Sequence, residues 1–309
     1  MSRRLLNPKV DFIFKKIFGS ENHPNILISF LNAVMKPVDK IVSVVINNTE
    51  ITKDFLEDKF SRLDVKATTN KGELINIEIQ IWKHYKETHL PYALQMSKRP
   101  CQIKDLECLL MIKRSLYYWS KLYEEQLSEG DKYETLSRTV CINILDFKYL
   151  NNDRFHNGYR LKEIETNEEL TDIQEIHFIE IPKLKDLDED ANVDTIDMLE
   201  AWIQFLKDPE SNVVRKLEFS KKEIKEAKDE LYRLSRDKKE LELYNLREKS
   251  FYDKISALSN AEEKGREQGL EEGKLLERIN IAKNLLDVLD NETISLKTGL
   301  SVQEIEKLR

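Results

Sequence analysis

Glycine and proline are scarce, 8 and 7 in 309 residues. So few breakers exclude a loop-rich or low-complexity chain and leave room for long regular elements. Cysteine is scarcer still. Its three copies, Cys101, Cys108 and Cys141, are odd in number and lack metal-ligand spacing. They read as reduced thiols of a cytoplasmic protein, not as a disulfide frame. No run approaches the ~18 apolar residues of a membrane span, so no membrane partner is expected. The start, MSRRLLNPKVDFIFKKIFG, has no unbroken apolar stretch and no small-residue cleavage site, so no signal peptide is expected. The five histidines form no cluster with metal spacing, and no Gly-rich phosphate loop is present.

What is present is charge. Charged residues make up 35% of the chain and apolar ones 40%, as an ordinary core with long exposed helices would give. The net charge of −7 speaks against a nucleic-acid partner, but its distribution softens that. Residues 1–150 hold 23 Lys+Arg against 19 Asp+Glu, and the rest hold 27 against 38. The acidic excess is C-terminal, and binding a nucleic acid needs only a local basic surface.

NPKVDFIFKKIFG carries an i, i+3, i+4, i+7 apolar stripe and predicts a short helix stopped at Gly19. NILISFLNAVM predicts a second helix, and KIVSVVINNTEI a strand. RLDVKATT and ELINIEIQIW alternate with period two around a TNKG turn, a β-hairpin. Asn76, Glu78 and Gln80 share the face opposite Ile75, Ile77, Ile79 and Ile81, and Asp64 lies between Leu63 and Val65 in the same way. Two readings stay open. The acids form an outward, solvated sheet face with cross-strand pairs, or they aim at one metal ion. MIKRSLYYWSKLYEEQLSEG predicts a helix, with Tyr117, Tyr118 and Trp119 as core, and TVCINILDF and IHFIEIPKL predict two more strands. The order is that of an α/β domain.

Beyond about Asp194 the texture is helical. Ile224, Ala227, Leu231, Leu234, Lys238 and Leu241 follow a 3–4 spacing, a coiled-coil-like seam flawed at Lys238. It should bury its apolar face by dimerising or by folding back on the domain. Gly265, Gly269 and Gly273 recur every four residues, as a close-packing face or a weak solvated helix. The end looks like three short helices with a turn at Gly299, similar to a helix-turn-helix. The expected divisions are 1–193, 194–278 for the arm and 279–309 for the tail.

Taken together, NPKVDFIFKKIFG, FLNAVM, LDVKATTNKGELINIEIQ, KRSLYYWSKLY, QLSEGDKYETLSRTVCINILDF and EIHFIEIPKL resemble the recombination-promoting nuclease and transposase family of the PD-(D/E)XK superfamily. The resemblance covers residues 5–190. It implies a restriction-endonuclease-like core, a central mixed sheet flanked by helices, and metal-dependent cleavage of DNA in recombination or transposition-like events. It matches Asp64 to the motif aspartate and Glu78 to the motif glutamate. Gln80 stands where the superfamily commonly has lysine, and Asp11 where this family carries an acid. One departure is a segment of about 83–110, KHYKETHLPYALQMSKRPCQIKDLECLL, which reads as an insertion after the catalytic strand.

On that reading Mg²⁺ (or Mn²⁺) takes Asp64, Glu78 and the backbone carbonyl of Ile79 as hard oxygen ligands. Lys66 has the parity to supply the positive charge that Gln80 lacks. Lys113 and Arg114 are candidate phosphate contacts. The rival expectations are an RNA nuclease, or a disabled relative that acts as a scaffold through its helical arm. A homo-oligomer formed through that arm is expected.

Overall fold

The structure is a computed structural model that describes residues 5–47, 65–80, 102–187 and 192–309. Helix α1 (Asp11–Phe18) buries Phe12, Ile13, Phe14, Ile17 and Phe18, and the Gly19 amide caps it by donating to the Lys15 carbonyl. Helix α2 (Pro24–Met35) starts on a proline, which needs no amide partner in the first turn, and ends at Lys36 in the left-handed region. Six strands follow: β1 (Val44–Ile46), β2 (Val65–Thr69), β3 (Leu74–Gln80), β4 (Thr139–Leu145), β5 (His156–Lys162) and β6 (Glu169–Glu180). They form one mixed sheet in the order β1-β2-β3-β4-β6-β5. β3–β4 and β4–β6 are parallel, and the other pairs are antiparallel. β2 and β3 make the expected hairpin, with Gly72 at φ 79° in its turn. β4, flanked by parallel neighbours, is buried along its whole length.

Helix α3 (Gln102–Glu124) packs on β3 and β4. Its first turns include residues 102–110, which the sequence placed in an outward insertion, so those nine residues extend the helix. Residues 81–101 of that segment lie outside the described ones. Met111, Ser115, Trp119 and Leu122 follow one helical stripe. Met111, Trp119 and Leu122 pack with Cys141, Leu145, Ile176 and Phe178 of the sheet. The sheet's other face is equally dry: Ile75, Ile77, Val140, Ile142, Ile144 and Ile179 are all buried. α1 also packs on β3.

The chain divides into two compact units, Met1–Glu242 and Leu243–Arg309. The first runs past the expected boundary at 193 because three more helices belong to its core: α4 (Met198–Lys207), α5 (Asn212–Ser220) and α6 (Lys222–Arg236). Trp202 of α4 meets Phe18 of α1 edge-on, with ring centroids 5.2 Å apart, and Phe18 in turn meets Phe30 of α2. The seam expected to form a coiled coil is the inner face of α6. Ile224, Ala227, Leu231 and Leu234 are fully buried, and α6 packs on α1 and α2. The Leu6 amide donates to Ser235 Oγ at 3.0 Å. Backbone at Asp237 is extended, so the helix breaks just before the flawed seam position Lys238.

Helix α7 (Lys238–Leu285) leads into the second unit. Gly265, Gly269 and Gly273 sit on it exposed, and a Cβ on any of them would meet nothing within 4 Å. Ala282 near the end of α7 packs with Ile294 of α8 (Asn291–Thr298), with Leu300, and with Ile305 of α9 (Val302–Glu306). Gly299, at φ 74°, makes the turn between α8 and α9. No helix among the described residues is long and apolar enough to cross a membrane.

Candidate active site

The polar face of β3 is not solvated. α3 covers it, and Glu78 is 2% exposed and Asn76 2%. In the β3–β4 register Asn76 stands beside Cys141 and Glu78 beside Asn143. A polar layer therefore lies between sheet and helix. Ser115 Oγ donates to Asn143 Oδ1 at 2.9 Å, and Asn143 Nδ2 donates to the His177 carbonyl at 3.1 Å. Trp119 Nε1 donates to the Thr139 carbonyl at 2.9 Å. Together these bonds fix the helix over the strand ends.

Arg114 is the side chain that α3 delivers to Glu78. Its Nη2 lies 3.3 Å from Glu78 Oε2. With the Gln80 amide turned oxygen-first, that oxygen accepts from Arg114 Nη1 and, at 3.2 Å, from Nη2. The guanidinium also sits over the Tyr118 ring, 5.3 Å from its centroid, an i, i+4 contact on the helix. Yet neither oxygen of Glu78 has an aligned hydrogen-bond partner among the described residues, and neither has Arg114 Nε. Burial pushes the Glu78 carboxyl up from 4.5 to about 7, against the pull of the Arg114 charge. Burial also pushes the Cys141 thiol up, with the Glu78 charge adding to it, so Cys141 is an inert free thiol.

The other expected site residues fall out as follows. Asp64 lies outside the described residues. It immediately precedes Val65, whose β3 partner is Ile77. Lys66 pairs with Asn76 and so shares the Glu78 face, but its Nζ is held by Glu125 Oε2 at 2.8 Å. Ile79 turns its side chain to the opposite, buried face. Asp11 is exposed at the start of α1, where its Oδ1 accepts from the Phe12 amide at 2.6 Å. Lys113 is exposed on α3, and Arg114 alone of the pair reaches Glu78. Tyr117, expected in the core, is 47% exposed.

Two groups were not legible in the sequence. Lys9 Nζ bonds both carboxylate oxygens of Asp146, at 3.0 and 2.8 Å, and the Asp146 amide donates to the Gln80 carbonyl. That places an ion pair where β3 and β4 end. The second group is a buried network around Glu175, which accepts from Arg138 Nη2 at 2.6 Å, from Arg160 Nε, and from His177 Nε2 at 2.6 Å. His177 Nδ1 contacts His156 Nε2 at 3.0 Å. Burial opposes ionisation of Glu175, but His177 and the two arginines outweigh it and hold the carboxyl down at about 2. These pairs span residues up to 137 apart in sequence, and only the fold joins them.

A family model described as PD-(D/E)XK nuclease family transposase matches residues 8–109 and 101–261. The chain belongs to this family. The two matched stretches meet at 101–109, where α3 begins. Comparison with curated proteins and with solved structures gives no match. In this PD-(D/E)XK nuclease family transposase, the hairpin strand β3 carries the acid Glu78 in a polar layer of a six-stranded mixed sheet flanked by helices. Among the described residues no three His, Cys, Asp or Glu side chains converge on one point. The donor set nevertheless fits a cation. A buried carboxylate with no aligned hydrogen bond on either oxygen, and one guanidinium 3.3 Å away, is a hard ligand of the kind a divalent ion takes.

Proposed function

We propose that this chain is a divalent-metal-dependent endonuclease that cuts DNA in recombination or transposition-like events. The observation that carries the reading is the Glu78 carboxylate, 2% exposed, with Arg114 beside it at 3.3 Å and neither oxygen in an aligned hydrogen bond among the described residues. A buried carboxylate whose oxygens lack aligned donors is costly, by roughly a few kcal/mol, so such a group is retained where a ligand completes it. Asp64, one residue before Val65, is the proposed second ligand, with the Ile79 carbonyl as a third. Mg²⁺ or Mn²⁺ bound there would lower the pKa of a water and neutralise phosphoryl oxygens.

The chain's own residues do the rest. Glu78 holds the cation in a water-poor layer sealed by α3. Gln80 cannot act as a base or carry charge, and instead fixes Arg114 through its amide oxygen. Asp11 at the head of α1 orients water at the site. Lys66 and Arg114 supply the cationic surface that receives the polyanion.

The test is nicking of supercoiled plasmid DNA with Mg²⁺ or Mn²⁺. Glu78→Gln and Asp64→Ala should each abolish nicking while the melting transition persists. Full nicking by either variant, or nicking that survives chelation, would sink the proposal.

A further inference from the structure

Among the site's buried polar atoms that no described residue hydrogen-bonds, three lie on two touching residues and are of opposite character. Glu78 Oε1 and Oε2 are acceptors without donors, and Arg114 Nε is a donor without an acceptor. They belong to residues already in contact at 3.3 Å. Two such residues meant only for each other would meet fork to fork, with Nε and one Nη each on a carboxylate oxygen. Here the Nη groups are turned to the Gln80 amide, the Tyr118 ring supports the guanidinium plane, and Nε is left over. The guanidinium is thus held by an amide and a ring as well as by the carboxylate 3.3 Å away. Glutamine at position 80 is matched to this arrangement, because a lysine there would set a second cation against Arg114.

We propose that Arg114 is the phosphate-holding residue of the site, and that its guanidinium and a divalent cation compete for Glu78. With Glu78 engaged by a cation, Arg114 turns its Nε edge to a phosphate oxygen of the nucleic acid. The proposal rests on the reading of Glu78 as a cation ligand. A dication and a guanidinium repel each other across one carboxylate, and in a buried layer that repulsion is weakly screened. A phosphate oxygen relieves it by taking the guanidinium's charge and satisfying Nε together. Lys113, exposed on α3, has no such geometry.

The intact chain, Arg114→Ala, Arg114→Lys and Glu78→Gln are compared, each checked by its melting transition. Mn²⁺ binding is followed by electron paramagnetic resonance, and inorganic phosphate binding by calorimetry with Mg²⁺ present. Arg114→Ala should bind Mn²⁺ about tenfold more tightly, the scale of one charge removed a few Å away, and phosphate at least about tenfold less tightly. Arg114→Lys keeps the charge but lacks the fork, so Mn²⁺ affinity should stay while phosphate affinity falls. Glu78→Gln should lose Mn²⁺. Unchanged Mn²⁺ affinity in Arg114→Ala, with binding lost in Glu78→Gln, overturns this proposal and leaves the cation reading standing. Unchanged phosphate affinity in Arg114→Lys overturns it as well, even should Arg114→Ala fail to fold. Unchanged Mn²⁺ binding by Glu78→Gln overturns the cation reading itself.

Discussion

Glu78 and Asn143 stand side by side in the β3–β4 register, and only one of them is satisfied. Asn143 accepts from Ser115 and donates to the His177 carbonyl, while the neighbouring carboxylate has no hydrogen-bond partner among the described residues. The same helix covers both, so the difference is chemical, not a matter of access. The amide is tied into the architecture, and the acid has only the Arg114 guanidinium beside it at 3.3 Å.

That unmet acid weakens the fold in a pH-dependent way. In the unfolded chain Glu78 ionises near 4.5, and in the folded chain near 7. Between those values the unfolded state releases a proton that the folded state retains, so stability falls as pH rises and stays reduced above 7. Glu78→Gln has no such penalty. With chelator present it should melt above the parent at pH 8, by on the order of 3 kcal/mol at most, and the gap should shrink towards pH 5. An equal gap at both pH values would show that burial is not what displaces the carboxyl.

Glu175 works in the opposite sense. Its folded carboxyl ionises near 2 against 4.5 unfolded, so its contribution is complete above 4.5 and is lost as pH falls towards 2. Glu175→Gln should cost on the order of 3 kcal/mol at pH 7, leaving Arg138, Arg160 and His177 without their common acceptor. Urea denaturation at pH 7 and pH 3 checks it, and the variant's deficit should narrow at the lower pH.

Helices α4 and α6 are core, and truncation should show it. A chain ending at Val193 loses Trp202 from the Phe18 edge contact and Leu231 from the face packed on α1 and α2. It should lack a cooperative melting transition, whereas a chain ending at Glu242 should keep one. Leu231→Ala should cost about 2–5 kcal/mol through the cavity it leaves. A sharp transition in the chain ending at Val193 would refute this.

The three glycines of α7 offer a gain. Each is helical and exposed, with open space where a Cβ would go. Alanine at Gly265, Gly269 and Gly273 should stabilise the helix by about 1 kcal/mol per site, visible as increased helical circular dichroism on warming. A loss of helicity would mean that another surface needs those positions bare.

Much of this was legible in the sequence because its signals were local. The hairpin followed from period-two alternation around TNKG, and α1 from its apolar stripe. β5 was missed because HNGYRLK is mostly exposed and has no apolar face, being held by pairing to β6. The first half of β6 was missed for the same reason. The seam from Ile224 to Leu234 was read correctly as a buried face, but periodicity does not say which helix covers it, and α1 and α2 lie about 200 residues away in sequence. The burial of Glu78 was equally hidden. Alternation in β3 marked a polar face, and only α3 makes that face dry.

The packing of α6 on α1 also sets an order in time. α1 leaves the ribosome about 200 residues ahead of α6, which ends at Arg236 among the last of its unit. At about 5–20 residues per second, the helix that carries Asp11 waits many seconds for its cover. A nascent or prematurely ended chain that stops short of Arg236 therefore leaves the inner face of α1 without this cover. The helical layer of the first unit closes only once Arg236 has followed α1 out of the ribosome.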